Sequence, residues 1–104
     1  MKNVRLPFLP EFKDRLLAGG KTCTARTKKH GEPGDTFQAY GRTFEITAVE
    51  RRMQAEVCLE LHKAEGFSNT VDFIKCWEKI HPGAGYRPGQ KVWVHHFRIL
   101  EAKP

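Results

Sequence analysis

From Lys91 to Leu100 the chain alternates without a break. Trp93, His95, Phe97 and Ile99 fall on one side of an extended backbone, and Val92, Val94, His96 and Arg98 on the other. Because both sides are largely apolar, this segment is expected to be a central, well-buried strand. A shorter alternation, Lys21 to Arg26, reads as an early strand. Pro33-Gly34-Asp35 turns the chain into a second strand, Thr36 to Tyr40, and Gly41 marks a tight reversal. A longer strand follows from Thr43 to about Arg52, with Phe44, Ile46 and Ala48 expected on one face.

Elsewhere the period is helical. Pro10 suits a first helical position, Phe12 and Leu16 share a face, and Gly19-Gly20 ends the run, so a helix is expected from Pro10 to Ala18. Val57, Leu61 and Ala64 stand at i, i+4 and i+7, and Gly66 supplies a stop, which predicts a helix from Ala55 to Glu65. A further helix begins after Ser68 or Asn69 as cap, carries Asp72 in its first turn, and ends at Pro82-Gly83. Its buried side is expected to hold Phe73, Trp77 and Ile80. The Pro- and Gly-rich stretch from His81 to Gly89 is a loop. The order helix, three strands, two helices, final strand predicts an α+β fold: a small curled sheet packed by helices, possessing neither linker nor repeat and forming one domain over residues 1–104.

Charge adds direction to this frame. The 104 residues carry a formal net charge of +6. Residues 1–54 hold eleven Lys/Arg against six Asp/Glu, and residues 55–104 hold seven against six. A one-sided basic surface attracts phosphate and other anions. No apolar run approaches a membrane span and the opening residues lack the apolar stretch of a signal peptide, so a cytoplasmic protein with no membrane partner is expected. Cys23, Cys58 and Cys76 are odd in number and widely spaced, which predicts buried thiols in place of a disulfide framework or zinc site. His95 and His96 are adjacent in a strand and point to opposite faces, and no other histidine shows ligand spacing with a carboxylate; neither metal nor cofactor is expected.

The stretch Gly19-Gly20-Lys21-Thr22-Cys23-Thr24-Ala25-Arg26 is the most unusual. Gly20-Lys21-Thr22 matches the end of a nucleotide-binding P-loop. That motif requires a glycine five residues earlier, where Arg15 stands, and follows a strand where this stretch follows a helix. In a strand Thr22, Thr24 and Arg26 project to one side, either into solvent or into a pocket. Tyr40 and Tyr86, near turns, are the aromatic residues freest to stack on a base.

Leu17-Ala18-Gly19-Gly20 followed by Lys-Thr-x-Thr-x-Arg over Lys21 to Arg26, Gly34-Asp35 entering a strand, and Val92 to Phe97 as a closing strand resemble the ASCH (activating signal cointegrator homology) domain, across about the whole chain. The resemblance implies a PUA-like small curled β-barrel with flanking helices, and an RNA-associated role. Among small single-domain members it is similar to the bacterial N4-acetylcytidine amidohydrolases, which use a lysine, a threonine and a glutamate. Those roles carry over onto Lys21 as base, Thr24 as nucleophile and Glu65 as proton donor, with Glu60 as the alternative carboxylate. Gly20, Arg26, Lys28 and Lys29 would contact substrate or RNA.

The chemistry sets requirements on these residues. A threonine hydroxyl must lose its proton to attack an amide, and a lysine can take it only when neutral, which burial and the neighbouring cations Arg26, Lys28 and Lys29 would favour. Glu65, at a helix C-terminus, would be held protonated by the negative end of the helix dipole. Lys21 and Thr24 are three apart and would face opposite ways in a regular strand, so Lys21 must lie in the Gly19-Gly20 turn. The partner is then a nucleoside or RNA, with no DNA specificity expected. A PUA-like RNA-binding module without catalysis, and a ribonuclease using the same basic cleft, are the alternatives.

Overall fold

The computed structural model describes residues 2–100. A 3-10 turn, Pro10–Phe12, runs into α1, Lys13–Leu17. The strands are β1 (Cys23–Arg26), β2 (Thr36–Ala39), β3 (Arg42–Met53) and β4 (Lys91–Ile99), and the other helices are α2 (Gln54–Leu61) and α3 (Thr70–Ile80). The strands form one curled half-barrel sheet in the order β1-β4-β3-β2, antiparallel throughout. Among the described residues, parallel pairing is confined to the isolated bridge between Asn3 and Thr36. The fold class expected from the pattern is the one observed: α+β, with the C-terminal strand at the centre.

The alternation in β4 divides the interior in two. Val92 and Val94 pack with Cys23 and Ala25 of β1 against Val57 and Cys58 of α2 and Phe73 and Trp77 of α3. Phe97 packs on the other side with Phe37, Phe44 and Ile46 beneath Leu6, Phe12 and Leu16. Each fully buried Val, Ile, Leu or Phe among them contributes roughly 1.5–3 kcal/mol, so β4 is where both halves are tied. Phe67, in the connection between α2 and α3, packs against both clusters.

Three local expectations are corrected. Ala48 does not share the buried face of Phe44 and Ile46, because the register with β4 shifts between Ile46 and Ala48; this bulge turns Ala48 to the exterior. Ile80 is 46% exposed, because in the last turn of α3 it lines a cavity and is not packed into the core. Helix α2 stops at Leu61, and residues 62–66 continue as turns. Within them Glu65 N–H donates to Leu61 O at 2.9 Å and Gly66 N–H to Lys63 O at 2.9 Å. Asn69, not Ser68, caps α3, its side chain accepting from Asp72 N–H at 2.8 Å.

Candidate functional site

A cavity of about 400 Å³ lies between the N-terminal segment, β1 and the end of α3. Its polar wall is assembled from the turn after α1, the adjoining strand β1 and a third, sequence-distant stretch. Helix α1 ends with Gly19 at φ +80°, and Gly20 and Lys21 N–H both donate to Arg15 O (2.8 and 3.1 Å). This turn leaves Lys21 outside the regular pairing, which begins at Cys23, so Lys21 and Thr24 line the same cavity despite their odd spacing. The third stretch is the connection after α2. Its Ala64 O accepts from Thr22 N–H at 2.7 Å and Cys23 N–H at 3.2 Å, which clamps Glu65 against the start of β1.

Lys21, Thr24 and Glu65 are 3%, 4% and 4% exposed. Lys21 Nζ donates to Glu65 Oε1 at 2.9 Å and to Glu65 O at 2.8 Å, and Ala25 N–H donates to Glu65 Oε2 at 2.8 Å. Arg26 Nε donates to Thr24 Oγ1 at 3.0 Å and its Nη2 to Pro7 O at 2.6 Å. The guanidinium lies 5.0 Å from the ring centre of Phe8, and Lys21 Nζ 4.7 Å from that of Phe12. The sequence put Lys21 among cations; the fold puts it against a carboxylate. The helix-dipole argument for Glu65 also falls away, because α2 ends four residues earlier and both carboxylate oxygens accept hydrogen bonds.

Two histidines, His30 and His81, line the cavity. His30 is held below the usual imidazole range by burial and then by the charges of Arg26 and Lys28, and His81 by burial and then Arg26. Both are therefore neutral donors or acceptors at neutral pH. His81 also lies against Trp77, with ring centres 4.3 Å apart. Behind Thr24, His95 is fully buried; His30 N–H donates to its Nε2 at 3.0 Å. An N–H can only donate, so Nε2 accepts, and the ring proton sits on Nδ1 facing Thr24 O at 3.4 Å.

Of the residues singled out in the sequence, Lys21, Thr24, Arg26 and Glu65 meet at this cavity. Glu60 does not: it is exposed and paired with Arg52 at 3.2 Å. Gly20, Lys28 and Lys29 are exposed and lie outside the lining. Tyr40 and Tyr86 are not stacking surfaces either. Tyr40 packs on the Phe37 core and donates to Phe8 O, and Tyr86 packs beside Cys58. The aromatic lining comes instead from Phe8, Phe12, Phe67, Phe73 and Trp77. Phe8 and Phe67 escaped notice because each sits in an irregular segment where no period marks a face; the proline-flanked stretch Pro7–Pro10 was the available signal. Cys23 and Cys58 are buried thiols as expected, whereas Cys76 is half-buried in the cavity wall, its thiol pushed up by burial and then by Glu11. Among the described residues no group of three or more His, Cys, Asp or Glu could hold a metal ion, and no helix is long and apolar enough to cross a membrane.

No family model matches the sequence. No curated protein matches it. Solved structures do match its fold. An ASCH domain from Lactobacillus crispatus JV V101 superposes with a TM-score of 0.58 at 12% identity, over 93% of this chain and 78% of that one. The hypothetical protein PH0355 gives a TM-score of 0.67 at 13% identity, over 89% of this chain and 94% of that one. Protein EF3133 from Enterococcus faecalis V583 gives 0.63 at 16% identity, over 86% of this chain and 67% of that one. The chain has the fold of an ASCH domain.

Proposed function

We propose that the chain is an amidohydrolase that removes the acetyl group from the exocyclic amine of N4-acetylcytidine, giving cytidine and acetate. The observation that carries this reading is the convergence of Lys21 and Thr24 with the sequence-distant Glu65 in the buried polar wall of one aromatic-lined cavity. Phe8, Phe73 and Trp77 offer apolar surface to a pyrimidine, and Arg26, His30 and His81 offer polar groups to its substituents.

The Lys21–Glu65 hydrogen bond reconciles the two proton-transfer roles. In the resting pair Lys21 donates to Glu65 Oε1 at 2.9 Å. Moving one proton along that bond leaves a neutral amine and a carboxylic acid, which are the base and the acid that amide hydrolysis requires. The amine takes the hydroxyl proton of Thr24 as Oγ1 bonds to the acetyl carbon, and Arg26 supplies positive charge beside the developing oxyanion. Glu65 delivers its proton to the N4 amine as the C–N bond breaks. Cytidine leaves, and the resting ion pair is restored. Water then attacks the acetyl ester on Thr24: its oxygen leaves in acetate, one of its protons restores the Thr24 hydroxyl, and the other passes to solvent.

The test is hydrolysis of N4-acetylcytidine by purified, folded protein. Thr24→Ala and Lys21→Arg should each lower turnover by about a thousandfold, roughly 4 kcal/mol of barrier, because a guanidinium cannot act as the base. Thr24→Ser should keep part of the activity, and Arg26→Ala should raise KM more than Thr24→Ser does. Near-native turnover in both Thr24→Ala and Lys21→Arg would leave a nucleoside- or RNA-binding module without this chemistry.

A further inference from the structure

The two faces of the sheet treat their positive charges differently. On one face both arginines of the β3–β4 pair have carboxylate partners, and His96 contacts one as well. Arg52 contacts Glu50, Glu56 and Glu60, His96 contacts Glu50, and Arg98 contacts Glu45 at 2.8 Å. On the opposite face the register sets Arg26, Trp93 and Arg51 side by side on β1, β4 and β3, with Lys91 two residues along from Trp93. Adjacent strands are about 4.8 Å apart, so the backbones of Arg26 and Arg51 stand about 9–10 Å apart with the indole between them. Among the described residues no carboxylate lies within 4.0 Å of the charged nitrogens of Arg26, Arg51 or Lys91.

Trp93 also organises this charge. The Arg51 guanidinium lies 4.7 Å from the ring centre and Lys29 Nζ 5.3 Å, so the half-buried indole holds two cations beside the arginine of the cavity. Lys29 is paired with Glu32; Arg51 and Lys91 are exposed. Arg26 belongs both to this row and to the cavity lining, which makes the row continuous with the cavity wall.

We infer that the face built on Trp93, with Arg51 and Lys91 as its free cations, is a docking surface for the phosphodiester backbone of a single-stranded RNA whose unpaired base enters the cavity. Charge complementarity selects a polyanion. The choice of a single strand rests on the proposed function, since a cytosine ring reaches a closed pocket only when it is out of a base stack. The surface serves as a phosphate track and not as a stacking platform, because the cations already occupy the indole.

The experiment is equilibrium binding of a fluorescein-labelled single-stranded oligocytidylate RNA across a salt series, with phosphatidylserine vesicles as a second probe. The double variant Arg51→Ala/Lys91→Ala should bind more weakly, and its slope of log K against log salt should be flatter by about 1.4, two phosphate contacts at about 0.7 each. Arg98→Ala, on the opposite face, should bind as the unmodified protein does. The inference is overturned if the double variant keeps the original slope, if Arg98→Ala weakens binding equally, or if the vesicles bind and the RNA does not. Hydrolysis of free N4-acetylcytidine reads the cavity separately. Hydrolysis without RNA binding overturns the surface and leaves the proposed activity standing; salt-dependent RNA binding that follows the variants, without hydrolysis, supports the surface and removes the activity.

Discussion

Lys21 and Glu65 have side chains only 2% and 6% exposed, so each is the other's principal compensation for leaving water. Removing one member of a buried pair strands the other and costs about 3–5 kcal/mol, whereas replacing both by apolar residues of similar volume is often neutral or stabilising. Glu65→Leu alone should therefore lower the denaturation midpoint sharply, and Lys21→Met/Glu65→Leu should recover most of the loss while abolishing hydrolysis. A double variant no more stable than Glu65→Leu would contradict this account of the pair. His95 supplies a pH dependence. Burial holds its imidazole below the usual range; the contact with Thr24 O opposes this in part, and the electrostatic effects of His30 and Arg26 add smaller lowering contributions. The folded state thus prefers neutral His95 and the unfolded state titrates near pH 6.5. The resulting stability is complete above about pH 6.5 and is lost as the pH falls through the lower, folded value. Urea midpoints measured from pH 7.5 downward should fall below about pH 6.5, and the fall should be shallower in His95→Gln. An equal pH dependence in the two proteins would refute the assignment.

At the scale of elements, the connection from α2 to α3 governs the site. Gly66 has φ +99°, and a Cβ there would stand 3.1 Å from Arg15 Cδ and 3.4 Å from Lys21 Cβ. Glycine adopts that backbone freely, while any other residue is strained and crowded against the two segments that Glu65 must meet. Gly66→Ala should destabilise the fold by more than about 1 kcal/mol and depress hydrolysis further than an equally destabilising change in the β2–β3 hairpin. Chemical denaturation alongside turnover checks both. The bulge in β3 has a comparable effect on the outer face. It reverses the register after Ile46, so that Val49, Arg51 and Met53 join Trp93 and Lys91, while Glu50 and Arg52 go to the other side. Period-two reading of the sequence carried the face of Phe44 and Ile46 on to Ala48, because an inserted residue leaves no trace in an alternation that resumes on the far side.

Across the whole molecule, the sequence by itself determined whatever depends on short-range period and turn chemistry. The alternation in β4 marked a strand buried on both sides, Gly19-Gly20 stopped α1, and the Lys-Thr-x-Thr-x-Arg stretch marked the site's first wall. The α+β class followed, because strands and helices of these lengths bury their apolar faces in few ways. The tertiary structure decided what depends on contacts between distant residues. Glu65 lies 44 positions from Lys21, and only the clamp of Ala64 on β1 distinguishes it from Glu60, which turns outward to Arg52. The same folding paired Lys21 with a carboxylate where sequence neighbours promised only cations. It also surrounded Trp93 with charges from a loop and another strand. Periodicity records which way a side chain points along its own element; what it meets there is set by how elements pack, and that information is spread over residues that no local pattern connects.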